Sequence, residues 1–131
     1  MNVANGTFAS WPEELAKSAQ LRSEKRAIAE LTSDGMGVRR ELNFAQLWHA
    51  SLGVAQWLRE REVKNKSRFV ILGDDSLEHV VLWAAAALSG AVAVTVDAAS
   101  PLTSILDVIE DAEYVSTLRT RKHLYNRMLT R

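Results

Sequence analysis

Cysteine is absent from the 131 residues. That excludes disulfides, thiolate nucleophiles and cysteine-bound metal, and it fits a reducing, cytoplasmic setting. Glycine is sparse: there are six, and none follows Gly90. Neither G-x-G-x-x-G nor G-x-x-x-x-G-K occurs, so the common backbone cradles for phosphate are missing. Charge of one sign is not in excess, with 16 basic and 16 acidic residues. This balance argues against general affinity for nucleic acid or for a membrane surface. The opening "MNVANGTFASWPEEL" has no basic segment followed by an apolar one, so no secretory signal is expected. The longest uncharged run, Val80–Val96, is interrupted by Ser89-Gly90. It falls short of the roughly 20 residues a spanning helix needs and reads as a buried helix followed by a buried strand.

What is present has ordinary globular composition, 47% hydrophobic and 24% charged, on a chain long enough for one core. Residues 1–10 are small and polar and are expected to be disordered, leaving residues 11–131 as a single α/β domain. Ser10 before Trp11-Pro12 predicts a capped helix to about Gln20. "AIAEL" and "VRREL" flank the turn signal Asp34-Gly35 and predict a β-hairpin. Asn43 then caps a helix whose apolar face is read as Phe44, Leu47, Trp48, Leu52, Ala55 and Leu58. "RFVILG" and "AVAVTV" are two buried strands separated by a nearly wholly apolar helix. "SPLTSILDVIEDA" reads as a helix entered through Pro101, "EYVSTL" as a third strand and "TRKHLYNRML" as a terminal helix. Strand, helix, strand, helix, strand with short connections predicts a parallel sheet with crossover helices, preceded by the hairpin.

Groups able to do chemistry are scattered. Asp74-Asp75 follows Gly73 at a strand–helix junction, where two carboxylates repel phosphate. Capping of the next helix is favoured there over a magnesium site. His49, His79 and His123 have no ligand-like spacing with one another or with acids, and Glu78 and His79 diverge on a helix. Ser51, Ser76, Ser89 and Ser100 lack the G-x-S-x-G context of a hydrolase nucleophile. Trp48, Trp57 and Trp83 are read as core packing before a binding platform. After Glu113 come Arg119, Arg121, Lys122, Arg127 and Arg131 with no acid, while the first 113 residues hold 11 basic and 16 acidic ones. A solvated basic helix is favoured over a docking surface for an acidic partner.

Taken in order, four segments resemble the adenylate-forming superfamily of acyl-CoA synthetases, adenylation domains and luciferases. "LNFAQL" (Leu42–Leu47) is similar to its first core motif, with Asn43 and Gln46 departing from the usual residues. "ALSGAVAVTVDAASP" resembles the second: Gly90, Asp97 and Pro101 match, while Thr95 and Ala98 replace prolines. "VILGDDSLEHVVL" and "ILDVIEDAEYV" resemble the segments on either side of that motif, and "SLEH" points towards ligases of aryl or longer acyl acids. The resemblance spans residues 12–125 and implies the first part of a large N-terminal domain. It implies ATP, magnesium and coenzyme A as partners of the complete enzyme. The family's phosphate loop with its lysine, its adenine contacts and its small C-terminal domain have no counterpart in these residues, so no catalytic, cofactor-binding or metal residue is assigned. The expectation is a fragment of a carboxylate–CoA ligase, inactive alone. The alternatives are an interaction module that self-associates or complements a partner chain and, more weakly, a small stand-alone nucleotide-binding domain.

Overall fold

The computed structural model describes residues 10–63 and 65–112, and the backbone of 116–119. The proposed disordered segment, apart from Ser10, and the proposed terminal helix lie outside the described residues. Helix α1 (Trp11–Leu21) starts on a capping box: the Ser10 Oγ accepts from the Glu13 N–H, and the Glu13 carboxylate accepts from the Ser10 N–H at 2.7 Å. Strands β1 (Arg26–Leu31) and β2 (Val38–Asn43) pair antiparallel. Their connection is longer than a two-residue hairpin turn. Gly35 adopts φ +71°, and the Asp34 carboxylate accepts from the Met36 N–H at 3.0 Å.

Helix α2 (Phe44–Glu60) has the second capping box, reciprocal between Asn43 and Gln46 at 2.8 and 2.9 Å. Its buried row is Leu47, Ala50, Ser51, Val54, Ala55 and Leu58. Leu52, assigned to that face from spacing, is 40% exposed. At about 100° per residue, Leu52 falls well round the helix from the centre of that row and so faces solvent.

Three strands form the parallel sheet: β3 (Arg68–Gly73), β4 (Val92–Asp97) and β5 (Ser116–Arg119), in the order β4-β3-β5. Helix α3 (Leu77–Ser89) connects β3 to β4, and α4 (Leu102–Asp111) precedes β5. Strand β3 is the buried centre, with Phe69, Val70 and Ile71 at 0% exposure. Strand β4 is an edge, and of its residues only Val96 is buried, against the expectation of a second fully buried strand. Both runs are mostly apolar, so composition does not separate a central strand from an edge.

The two faces of the sheet are covered unequally. Phe69, Ile71 and Ala93 meet the main core, built with Leu15 of α1, Leu47, Val54 and Leu58 of α2, and Val81, Leu82 and Ala85 of α3. Val70, Leu72, Val94 and Val96 face the other way, onto Ile105 and Ile109 of α4. Each fully buried large side chain in the main core contributes about 1.5–3 kcal/mol. Among the described residues no helix is long and apolar enough to cross a membrane.

Candidate functional site

Open parallel sheets take ligands outside the carboxyl ends of their strands, so the ends of β3 and β4 define the place to look. There Gly73 and Asp97 sit opposite one another in register. Asp74 and Asp75 follow Gly73 and are exposed, as is Asp97. The Asp97 carboxylate accepts from the Ala99 N–H at 2.8 Å, and its carbonyl accepts from the Ser100 N–H at 3.1 Å. Asp97 thus folds its own turn before Pro101 opens α4.

Capping of α3 falls to Ser76, not to Asp74-Asp75. Ser76 is extended (φ −151°, ψ 165°) and its Oγ accepts from the His79 N–H at 3.3 Å. A side chain reaches the third helical amide only from the residue directly before the helix, and the two aspartates stand one and two residues too early. This rim offers carboxylates and one glycine, and no run of backbone donors. Among the described residues of the rim these groups make no phosphate cradle. Among the described residues no group of three or more His, Asp or Glu side chains could hold a metal ion.

The most ordered polar cluster lies beside this rim and was not legible from spacing. Arg40 on β2 donates to both oxygens of Glu78 on α3, at 2.7 and 2.9 Å, and to Glu30 on β1 at 2.5 Å. Glu30 also accepts from the Leu77 N–H at 3.3 Å, and Arg39 approaches its other oxygen at 3.4 Å. The Glu78 side chain is 4% exposed. Burial pushes its carboxyl upward, but the Arg40 hydrogen bonds, with help from the backbone, hold it below the ordinary carboxylate value. The bond to Glu78 raises the Arg40 guanidinium despite its own burial. This cluster positions an element. It carries no nucleophile and no group poised for proton transfer.

The remaining singled-out residues are dispersed. His49 is exposed on α2 and lines a surface groove of about 250 Å³ with Ala16, Ala19, Gln20, Ala45 and Trp48. His79 is half-buried, and its Nδ1 has no hydrogen-bond partner among the described residues. His123 lies outside the described residues. Ser51 donates to the Leu47 carbonyl at 2.7 Å and Ser89 to the Ala85 carbonyl at 2.9 Å, so both are spent on their own helices. Ser100 is half-buried. Trp48 and Trp57 pack against the main core, as expected. Trp83 does not: it is 46% exposed and meets Trp11 edge-on, with ring centroids 5.0 Å apart.

With this geometry in place, the relatives are informative. A family model described as AMP-binding enzyme matches residues 15–128. The fatty acid AMP ligase of Legionella pneumophila superposes with a TM-score of 0.79 at 17% identity, covering 89% of this chain and 20% of that one. The inhibitor-bound N-terminal domain of FACL13 from Mycobacterium tuberculosis gives 0.73 at 17% identity, covering 92% and 29%. The unliganded O-succinylbenzoate coenzyme A synthetase of Bacillus subtilis gives 0.69 at 26% identity, covering 88% and 25%. At their identities the first two speak for the fold alone. The chain spans less than a third of the length of each. No curated protein sequence matches this one.

Proposed function

This chain belongs to the AMP-binding enzyme family, and from that premise we propose that it supplies the opening α/β part of an ATP-dependent carboxylate–coenzyme A ligase. Residues 11–131 make one incomplete α/β unit in this reading. The whole enzyme joins a carboxylate to ATP, releases pyrophosphate and transfers the acyl group from AMP to coenzyme A. The observation that carries the reading is the ordered run from the Asn43-capped helix through β3, the Gly90 turn and β4 to Pro101, inside the stretch that the family model matches. The 26% identity to a coenzyme A synthetase supports the thioester branch. The 131 residues by themselves hold no phosphate-binding loop and no catalytic lysine in a recognisable setting, and they do not adenylate an acid.

Two assays test this. The uninterrupted reading frame containing these codons is expressed and offered a panel of acids with ATP and coenzyme A. Acyl-CoA, AMP and pyrophosphate are expected; acyl-AMP with no coenzyme A-dependent product refutes the thioester branch. The 131-residue chain alone is expected to give no substrate-dependent ATP–pyrophosphate exchange, and turnover there refutes its inactivity.

A second reading, a module that self-associates, draws on the exposed apolar residues of α4 and of the β4 edge. Leu102 and Leu106 of α4 are 69% and 54% exposed, and Val92 on the β4 edge is 45% exposed. A compact monomer in sedimentation velocity counts against it.

A further inference from the structure

The β1–β2 hairpin forms its own sheet and shares no backbone pairing with β3, β4 or β5. Its apolar anchorage is small. Leu42 is buried and Ala27 and Ile28 partly so, while Leu31, Met36 and Val38 lie exposed. Backbone bonds from the Phe44 N–H to the Lys25 carbonyl at 3.0 Å and from the Ala45 N–H to the Ser23 carbonyl at 3.2 Å hinge its base to α2. Its far side is held to α3 by polar contacts: the fork from Arg40 to Glu78 and the Leu77 N–H donated to Glu30, which Arg40 also bonds from within the hairpin. The Glu78 fork and the Leu77 bond meet the first turn of α3.

We propose that the hairpin is a separately opening unit, latched by Arg40 onto the first turn of α3, and that the latch sets whether the start of α3 is covered or bare. Closed, one guanidinium answers two largely buried carboxylates, with Arg39 beside the more exposed flank of Glu30. Without it, Glu30 and Glu78 are left together out of water. A buried carboxylate stripped of its partner is strongly unfavourable, and the simplest relief is to lift the hairpin and rehydrate both. Lifting breaks no ladder of the parallel sheet, so the event stays local. Its consequence is positional. Helix α3 begins where β3 ends, at the carboxyl rim of the sheet, and an open hairpin frees the Leu77 N–H and the Glu78 carboxylate there. The inference rests on this geometry and not on the ligase reading.

Native-state hydrogen exchange of the full 131-residue chain at neutral pH tests it. In the Arg40→Met variant the amides of residues 27–31 and 38–42 are expected to exchange on the order of 100-fold faster, while those of β3 stay within about twofold of the parent. Arg40→Lys keeps the charge but loses the fork, and its acceleration is expected to be smaller. Equal acceleration of hairpin and β3 overturns the proposal, because the hairpin then belongs to the global unit. No acceleration in either overturns the latch. If Arg40→Met does not fold, the parent chain in low denaturant decides. Hairpin amides must then open with a weaker denaturant dependence than β3 amides, and a shared dependence overturns the proposal.

Discussion

Gly90→Ala isolates one backbone requirement at the end of α3. Gly90 adopts φ +72°, ψ 10°, in the left-handed region, and both its own N–H and that of Ala91 donate to the Ala86 carbonyl. Its carbonyl accepts from the Lys66 N–H at 2.8 Å, and the Val92 N–H donates to the Ser67 carbonyl at 2.8 Å. The glycine thus closes the helix and aligns the first residue of β4 with the segment leading into β3. A side chain there meets two penalties. The left-handed conformation costs about 1–2 kcal/mol for a residue with a Cβ. The new Cβ also collides with the Asn65 Oδ1 and lies 3.1 Å from its Cγ. That amide sits at the end of a rotatable side chain, so moving it costs about 0.5–1.5 kcal/mol. Together they predict a loss of about 2–3 kcal/mol in urea unfolding followed by tryptophan fluorescence, with an unchanged m-value. The melting temperature should fall by about 6–12 °C for a domain of this size. Gly90→Ala combined with Asn65→Ala should recover only the smaller part. Gly53→Ala is the control: Gly53 is inside α2, nothing lies within 4 Å of its added Cβ, and the change should stabilise by about 0.5–1 kcal/mol. A Gly90→Ala chain within about 0.5 kcal/mol of the parent, or complete recovery on removing the Asn65 amide, refutes the conformational reasoning.

Three further outcomes are expected. Ser76→Ala should lose about 1 kcal/mol in the same urea titration, while Asp74→Asn and Asp75→Asn each stay within about 0.5 kcal/mol, since only the serine caps α3. Leu58→Ala opens the fully buried end of α2 and should cost about 2–5 kcal/mol by calorimetry at constant pH. The Glu78 carboxyl lies below its ordinary value of 4.5, so its contribution is complete above that pH and is lost as the pH falls through the lower folded value. Glu78→Gln should therefore flatten part of the acid limb of the urea midpoint between pH 5 and pH 3, at a lower plateau; an acid limb identical to the parent's counts against Glu78 as a contributor.

The elements themselves were legible where local chemistry decides them. Ser10 and Asn43 cap as expected, because a side-chain oxygen and the third helical amide are neighbours along the chain. The hairpin followed from its turn residues, and the parallel strands β3 and β4 from their apolar runs. What escaped depends on distance. Strand order is not written in "RFVILG" or "AVAVTV", and it took the fold to place one in the centre and the other at the edge. Arg40 and Glu78 are 38 positions apart, and only docking of the hairpin on α3 makes them partners. Nothing beside Glu78 along the chain announces a cation. Leu52 was misplaced for a different reason: the four-residue step from Trp48 leads away from the row of Leu47, Val54 and Leu58. Of the Asp and Ser that open "DDSLEH", only Ser76 caps α3, since capping turns on a shift of one or two positions.

The central position of β3 has a bearing on how the chain is made. Its partners lie later in the sequence, β4 beginning at Val92 and β5 at Ser116. A nascent chain that has emerged only as far as Gly73 therefore presents "RFVILG" with both flanks unpaired, and one flank stays open until residue 119 has appeared. Late, non-local pairing of this kind is slow and leaves an adhesive segment waiting. Arg68 stands at its head and Asp74-Asp75 at its foot. Charges that bracket a sticky hexapeptide are the usual gatekeepers against pairing with the wrong chain. The two aspartates, which do not cap α3, stand where such a gatekeeper would act during synthesis, before there is a folded protein to stabilise.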